Sequence, residues 1–312
     1  MKKDIILNVS KLTKKLKKTT LLNDISFSIN ENMCCGILGP NGAGKSTLLN
    51  LISGYDKKYH GEISICGKKL TEDFLEITRH IGFVPQSENL DHYISALANL
   101  KFQMDLYRLP YSKTINFVEN LSKRLGIYSK LKNKVFTLSG GEKQKLIIIM
   151  ALLHNPSILI LDEPTFGLDF ESRLEIWNII KSLQKDMNLT ILFSTHHLDE
   201  TEEFCDYVII VSQGVKLVEG IPSALKNKLG EEIITIKTSS SVISDNLRIL
   251  MPQKDLFYED KSILKFTTSC GKEAMTKIST IIKNQKIHNV EISLSSPSIT
   301  DVYLFNIFRR PA

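Results

Sequence analysis

Residues 39–47 read GPNGAGKST and follow the apolar stretch MCCGIL at residues 33–38. They contain the pattern G-x4-G-K-S, and the run TLLNLISG at residues 47–54 predicts a helix that Gly54 ends. Glycines let a backbone turn tightly and approach phosphate oxygens. The N–H groups of such a loop and of the following helix N-terminus bind anions. We therefore predict a phosphate-binding loop between a buried strand and a helix.

The side chains of this loop predict a nucleotide with a magnesium ion. Lys45 is placed to bridge β- and γ-phosphates, and Ser46 is placed to ligate Mg²⁺. The alternative is a glycine-rich turn that matches by accident, as roughly one chain of this length in a hundred would from average residue frequencies. The strand–loop–helix context argues against that alternative. The predicted nucleotide-binding residues are Gly39, Pro40, Asn41, Gly42, Ala43, Gly44, Lys45, Ser46 and Thr47.

Two carboxylates end the apolar run at residues 158–161, in the stretch SILILDEPTFGLD at residues 157–169. Ligands of open α/β sheets bind at the carboxyl ends of strands. Asp162 is placed there to hold Mg²⁺, directly or through water, and Glu163 to orient or deprotonate a water that attacks the γ-phosphate. A solvated acidic turn is the alternative. It fits less well, because two carboxylates that end a buried strand need partners or a cation.

The next predicted strand, TILFST at residues 190–195, is followed by His196 and His197. A histidine at the carboxyl end of a strand can contact the γ-phosphate. A lone histidine is more often structural, and the adjacent pair leaves the assignment ambiguous from the residues alone.

The stretch LSGGEKQK at residues 138–145 predicts another anion site. Ser139 can cap a helix that continues through residues 146–153, and the N-terminus of that helix suits a phosphate. Because the phosphates already have a loop within the chain, we expect this second site to act on the nucleotide of another subunit. A simple helix cap is the alternative, but it would need neither Gly140 nor Gly141.

The order of apolar segments predicts the fold class. Strands are predicted at residues 5–9, 21–30, 62–66 and 80–84, and strands alternate with helices over 157–214. This alternation indicates a parallel α/β sheet covered on both faces. Residues 92–155 have helical periodicity and read as a helical insert. Residues 231–312 predict a small α+β appendage, whose last helix begins with a capping signature at Ser298.

Length and composition exclude several classes of protein. The 312 residues suggest two domains, and 42% hydrophobic with 24% charged residues is typical of a globular chain. Disorder, collagen and a small disulfide scaffold are excluded. The longest apolar run, residues 146–153, is too short to cross a membrane, and no secretory signal follows Lys2 and Lys3, so we expect a cytosolic protein. The five cysteines are expected to be free, buried thiols.

The net charge of +6 is concentrated at residues 1–18, which hold seven lysines and one aspartate. A nucleic-acid binder more often has a broad basic face, so no nucleic-acid partner is predicted. We favour a solvated edge, while attraction to an anionic membrane surface or to nucleotide phosphates stays open.

Taken together, these motifs resemble the ATP-binding subunits of ABC transporters. The matching segments, in the order and with the spacing of that family, are the Walker A loop at 39–47, the glutamine loop IGFVPQ ending at Gln86, the signature LSGGE at 138–142, the Walker B stretch ILILDE ending at Glu163, the D-loop at 167–169 and the switch histidine His196. The resemblance covers residues 5–228. It implies a P-loop NTPase fold with a RecA-like parallel core, an antiparallel β subdomain and a helical signature subdomain at about 87–155, followed by an appendage at 229–312.

The resemblance also implies an ATPase whose cofactors are ATP and Mg²⁺. Two cassettes, expected as a homodimer, close head to tail and drive separate transmembrane permease subunits from the cytoplasmic face of the membrane. Gln86 would link the nucleotide to that interface and contact the metal, Asp169 would cross the dimer contact, and His196 would sense the γ-phosphate. Catalytic roles fall to Lys45, Gln86, Glu163 and His196, metal contacts to Ser46, Gln86 and Asp162, and contacts to the partner's nucleotide to Ser139, Gly140, Gly141, Glu142 and Asp169.

Two further features bear on the group within the family. The stretch SPSITDVYLFNI at residues 296–307 is similar to the closing segment of drug-resistance (daunorubicin-type) exporter ATPases. The family usually has an aromatic residue that stacks on adenine, and Leu16 occupies the matching position, so weaker or less base-selective nucleotide binding is expected. The alternatives are a soluble ABC ATPase acting on ribosomes or DNA and a regulatory module with little turnover. The single cassette argues against the first, and the retained Glu163 and His196 argue against the second.

Overall fold

The structure is a computed structural model that describes residues 4–238, 256–260, 263–284 and 290–308. The chain divides into two compact units, Met1–Lys216 and Leu217–Ala312. The cassette boundary predicted after residue 228 comes from the family resemblance and stays a prediction.

The central sheet has six strands in the order Val215–Gly220 (β10), Tyr207–Ser212 (β9), Cys34–Leu38 (β3), Thr190–Thr195 (β8), Ile158–Asp162 (β7) and Ile81–Val84 (β6). The pairs β9–β3, β3–β8, β8–β7 and β7–β6 are parallel. Every residue of β3, β7 and β8 is buried, which explains why apolar residues predominate in these strands without a polar alternation. The predicted parallel α/β sheet is confirmed.

The strand order brings three predicted site segments to one edge of this sheet. In the register, Leu38 is opposite Thr195, and Asp162 is opposite Ser194. The loop after β3, the acidic pair that ends β7 and His196 after β8 therefore emerge side by side.

The first helix, Lys45–Ile52 (α1), begins two residues earlier than predicted because its cap is Gly44, whose φ of 100° is left-handed. A Cβ at this position would lie 2.6 Å from Leu22 Cδ2, so only glycine fits. Gly54, with a φ of 76°, follows the end of the helix as predicted.

An antiparallel sheet lies beside the core with the strand order β2-β1-β4-β5. Its strands are Ile5–Leu16 (β1), Thr19–Asn30 (β2), His60–Ile65 (β4) and Lys68–Lys69 (β5), and the short helix Phe74–Thr78 (α2) follows. The predictions missed β5 and α2, which are too short to show a hydrophobic period. They also extended β9 to residue 214, whereas Gln213 and Gly214 both have positive φ and turn the chain into β10.

The predicted helical insert is confirmed. It comprises Ala96–Leu106 (α3), Tyr111–Arg124 (α4), 3₁₀ turns at Tyr128–Lys130 and Val135–Thr137, and Gly140–Leu152 (α5). Ser95 caps α3 by accepting a hydrogen bond from the backbone N–H of Ala98 at 3.1 Å. The helices Phe170–Met187 (α6) and Leu198–Phe204 (α7) alternate with the core strands.

The second unit holds the helix Pro222–Asn227 (α8) and an antiparallel sheet with the order β12-β13-β11-β14. Its strands are Glu232–Thr238 (β11), Leu256–Asp260 (β12), Ile263–Thr268 (β13) and Val290–Ser295 (β14), and its further helices are Gly271–Asn284 (α9) and Ile299–Phe308 (α10). Strand β12 lies in the stretch predicted to be irregular. The predicted cap is present, because Ser298 Oγ accepts from the backbone N–H of Asp301 at 3.2 Å and Ser298 N–H donates to Asp301 Oδ2 at 2.9 Å.

Three expectations from composition can be compared with the structure. Among the described residues, no helix combines the length and the apolar run needed to cross a bilayer. Cys34 and Cys35 are buried as expected, but Cys66 and Cys270 are exposed, so the expectation of five buried thiols is wrong. Cys66 has a left-handed φ of 51° after β4, where the chain turns at the surface.

Most of the basic N-terminal segment is solvated. Lys11, Lys15, Lys17 and Lys18 are exposed, whereas Lys14 is buried and donates to Asp56 Oδ2 at 2.5 Å. Lys2 and Lys3 lie outside the described residues.

Candidate active site

Most of the predicted phosphate loop lines a cavity of about 600 Å³. Its lining residues are Thr19, Thr20, Leu21, Asn41, Gly42, Gly44, Lys45, Ser46, Thr47, Gln86, Glu163, Gln213 and Gly214. The cavity therefore brings together most of the loop, the glutamine of the predicted glutamine loop and the second carboxylate of the acidic pair. Sequence reasoning missed the wall formed by residues 19–21 and 213–214, which carries no charged side chain to mark it.

The Lys45 side chain is buried at the base of the loop. Its ammonium donates to Gly39 O at 2.9 Å and to Pro40 O at 3.3 Å, and it lies 3.4 Å from Glu163 Oε1. Only 5% of this side chain is exposed, so its ammonium group is held by the protein and is not free in solvent. This arrangement presents a fixed positive charge to an anion entering the loop.

Asp162 occupies the end of β7 and is bound by two hydroxyl groups. Ser46 Oγ donates to Asp162 Oδ1 at 3.0 Å, and Ser194 Oγ donates to the same oxygen at 2.5 Å. Burial raises the pKa of the Asp162 carboxyl above its ordinary value. The hydroxyls of Ser194 and Ser46 and the charge of Lys45 oppose this shift, and the charge of Glu163 adds to it. The ionised carboxylate is therefore costly here unless a cation joins it.

The raised pKa of Asp162 predicts that Asp162→Asn stabilises the nucleotide-free protein. An amide keeps the oxygen that accepts from Ser46 and Ser194 and removes the buried charge. Below the unfolded carboxyl pKa of about 3.9, both folded and unfolded Asp162 are protonated, so the advantage of the variant vanishes there. As the pH rises through the folded pKa, the wild type ionises at a cost and the variant becomes relatively more stable.

Thermal unfolding of both proteins between pH 4 and pH 8 measures this difference. Asp105→Asn, at an exposed position of α3, is the control and should show no comparable gain. Equal stability of Asp162→Asn and wild type at pH 7 would contradict the prediction.

Glu163 lies at the centre of the site. Its φ of 49° is left-handed, and its backbone N–H donates to Ser194 Oγ at 2.9 Å, which fixes the turn after β7. Its Oε2 lies 3.2 Å from His196 Nδ1 and accepts from Gln86 Nε2 at 3.4 Å. The side chain is 7% exposed. Lys45, Gln86 and His196, which come from three different segments of the chain, thus converge on this carboxylate.

Ser194 is a site residue that the sequence reasoning missed. It joins the acidic pair by accepting from Glu163 N–H and donating to Asp162 Oδ1. A serine in an apolar strand is a weak signal, and only the parallel pairing of β7 with β8 reveals the contact.

Other predicted residues lie away from the cavity lining. Leu16, at the end of β1, is 59% exposed and does not line the cavity, so its contact with adenine stays a prediction. Ser139 caps α5 as predicted, since its Oγ accepts from Glu142 N–H at 3.2 Å and its N–H donates to Glu142 Oε2 at 2.9 Å. Asp169 caps α6 by accepting from Ser172 N–H at 2.8 Å.

Comparisons with known proteins identify similar sequences and similar folds. The ABC transporter family profile matches residues 22–166. The chain is 34% identical over 232 residues to the Nod factor export ATP-binding protein I of Cupriavidus pinatubonensis, aligning 74% of this chain and 71% of that protein. It is 33% identical over 237 residues to the linearmycin resistance ATP-binding protein LnrL of Bacillus subtilis, aligning 76% of each.

A solved structure extends the similarity to the fold. The dimeric structure of a post-hydrolysis state of the ATP-binding cassette MJ0796, bound to ADP and Pi, has a TM-score of 0.63 and 28% sequence identity to this chain. The match covers 69% of this chain and 98% of that cassette.

Proposed function

The chain belongs to the ATP-binding subunits of ABC transporters, and on that premise we propose that it energises export of a compound by separate membrane-spanning subunits. As a member of this family it binds and hydrolyses ATP. The observation that carries a catalytic reading is the convergence of Lys45, Gln86 and His196 on the Glu163 carboxylate. The names of the two relatives, Nod factor export and linearmycin resistance, support export as the direction of transport. The closing segment at residues 296–307 supports the drug-resistance group within the exporters.

Each side chain of the site has a proposed role in ATP hydrolysis. The backbone of residues 39–47 and the ammonium of Lys45 bind the phosphates, and the fixed cation stabilises charge that develops on the γ-phosphate. Glu163 orients the water molecule that attacks the γ-phosphorus in line, and its carboxylate accepts a proton from that water. Gln86 and His196, which contact Glu163, hold that carboxylate in position and approach the γ-phosphate.

The residues around Asp162 fit a magnesium ion. A buried carboxylate with a raised pKa and an adjacent serine hydroxyl offer the oxygen ligands that Mg²⁺ takes together with substrate phosphates. We propose that Asp162 and Ser46 hold the ion, with Gln86 nearby. Bound there, the ion would neutralise phosphate charge.

A head-to-tail pair of cassettes explains the glycines at the start of α5. A Cβ added at Gly140 would lie 3.4 Å from the nearest atom, Leu168 Cδ2, and one added at Gly141 would lie 3.8 Å from Ser172. Neither glycine has a positive φ, so neither packing nor backbone conformation within the chain requires glycine here. A close approach by the nucleotide of a partner cassette would require both, and we propose that Ser139, Gly140, Gly141 and Glu142 make it while Asp169 crosses the interface.

Gly141→Ala tests this dimer. Alanine favours the helix and has room within the chain, so the variant should fold and bind ATP as a monomer with a stability equal to or above that of the wild type. The added methyl should hinder closure on the partner's phosphates and lower the ATPase rate by about tenfold or more. Steady-state hydrolysis, ATP titration and thermal unfolding together measure the effect. An unchanged hydrolysis rate would remove these glycines from the proposed interface.

Co-purification tests the membrane partner. Tagged Glu163→Gln is extracted from native membranes in mild detergent with ATP and Mg²⁺, and the accompanying proteins are identified. A stoichiometric protein with several membrane spans is expected, which would place the cassette at the cytoplasmic face through that permease. Recovery with ribosomes or DNA and without a membrane protein would overturn the proposal in favour of a soluble ABC ATPase.

A further inference from the structure

A buried carboxylate behind the active site has no part in the roles above. Glu200 lies in α7 and is 2% exposed. Its Oε1 accepts from Thr165 Oγ1 at 2.5 Å, and its Oε2 accepts from Thr195 Oγ1 at 2.5 Å. Both threonines are also 2% exposed, so solvent does not compete for these hydrogen bonds.

The two threonines belong to the segments that carry the reacting groups. Thr165 comes two residues after Glu163, and Thr195 directly precedes His196. Thr195 Oγ1 also accepts from the backbone N–H of His197 at 2.9 Å, so the turn after β8 depends on the same hydroxyl. Glu200 therefore joins the chain just beyond Glu163 to the chain just before His196.

The contact between Glu163 and His196 depends on where these two segments lie. Their side chains approach to 3.2 Å, and Glu163 holds a left-handed backbone conformation that ordinary residues rarely adopt. Ser194 fixes the backbone of Glu163 from one side, because its Oγ accepts from the Glu163 N–H. The Glu200–Thr165 hydrogen bond fixes the same turn two residues later.

A charge at this position is not what packing alone would select. A buried carboxylate is costly to desolvate, and an apolar side chain of similar volume often stabilises a fold as well. Partial compensation comes from Arg173 at the start of α6, whose Nε lies 4.0 Å from Glu200 Oε1. Two short bonds from hydroxyl groups to a charged acceptor are stronger and more directional than neutral ones. The hydrogen bonds of Glu200 therefore fix the positions of Thr165 and Thr195, which lie next to Glu163 and His196.

We propose that Glu200 is a positioning residue for ATP hydrolysis, which holds Glu163 and His196 in register through Thr165 and Thr195. The proposal rests on the proposed roles of Glu163 and His196. Glu200 does not line the nucleotide cavity, so it sets the rate of the chemical step without contributing to nucleotide binding.

Steady-state kinetics on Glu200→Ala test the proposal. A displacement of about 1 Å at a reacting group costs roughly 10²-fold in rate, so we expect kcat to fall by roughly 10- to 100-fold while the KM for ATP stays within about threefold. Glu200→Gln keeps an oxygen that accepts from one threonine, and its NH2 group can donate to the hydroxyl of the other. The kcat of Glu200→Gln should therefore be close to that of the wild type. Glu203→Gln, at an exposed position of the same helix, is the matched control.

Loss of folding is separated from loss of positioning by two further measurements. The stoichiometry of ATP binding gives the folded fraction of each variant and normalises its kcat. Thr165→Val removes one hydrogen bond, and Thr195→Val removes two, the bond to Glu200 and the one accepted from His197 N–H, each at nearly constant volume. Each variant should lower kcat while ATP binding persists, even where Glu200→Ala does not fold.

The outcomes distinguish this proposal from the proposed function. If Glu163→Gln is inactive and Glu200→Ala, corrected for its folded fraction, hydrolyses ATP at the wild-type rate, the positioning role is wrong and the function stands. A parallel change in kcat and KM, or no recovery in Glu200→Gln, would also overturn it. If Glu163→Gln itself hydrolyses ATP normally, the proposed role of Glu163 fails first.

Discussion

Glu163→Gln is expected to lower the kcat for ATP hydrolysis by about 10²- to 10⁴-fold while ATP still binds, the range that general-base catalysis contributes. Glutamine keeps the shape of the side chain and its contacts with Gln86 and His196, but it cannot accept a proton at neutral pH. Binding should persist or tighten, because the substitution removes a negative charge that lies 3.4 Å from the Lys45 ammonium, in the proposed γ-phosphate site. We expect the variant to accumulate as the ATP-bound dimer.

Three measurements examine this result. Phosphate release gives kcat, equilibrium titration gives the affinity for ATP, and light scattering with ATP gives the fraction of dimer. Glu203→Gln, exposed on α7, makes the same chemical change away from the site and should hydrolyse ATP at the wild-type rate. Turnover of Glu163→Gln within a few-fold of wild type would take the proposed base away from this residue.

Lys45→Met should instead weaken nucleotide binding. Hydrogen bonds to a charged group contribute about 1.5–3 kcal/mol, so the affinity for ATP should fall by roughly 10- to 100-fold. The loss of affinity should be larger still, because the Glu163 carboxylate, no longer paired with Lys45, would repel the γ-phosphate at close range. Methionine retains the apolar stem of the buried side chain, which limits the effect on folding.

Titration with ATP and thermal unfolding with and without nucleotide measure the loss of ATP affinity in Lys45→Met. Wild type should be stabilised by ATP through linkage, and Lys45→Met should show little such shift at the same concentration. Lys185→Met, in the last turn of α6, removes an exposed lysine and serves as the control. Unchanged affinity in Lys45→Met would contradict the phosphate contact. Together with Glu163→Gln, this variant separates binding from chemistry.

Local sequence patterns predicted the segments that carry the site. The loop at residues 39–47 and the cap at Ser139 are each predicted from a few neighbouring residues, because glycine and serine favour these backbone conformations. The acidic pair after β7 is predicted because two carboxylates directly follow an apolar run. Unbroken apolar runs likewise predicted the buried parallel strands. The same reasoning missed β12, whose pattern is short, and placed Cys66 in the core although it lies at a surface turn.

The family, the phosphate loop and the residue types available for chemistry can therefore be read from the amino-acid sequence. Which of these residues meet depends on the folded chain. Ser194 contacts Asp162 because β7 and β8 are parallel neighbours in register, and Glu200 contacts Thr165 because α7 packs against β3 and β8, beside the turn that follows β7. Hydrophobic periodicity reports the burial and conformation of one segment at a time. Contacts between distant segments depend on strand order and register, which arise only when the whole sheet has formed.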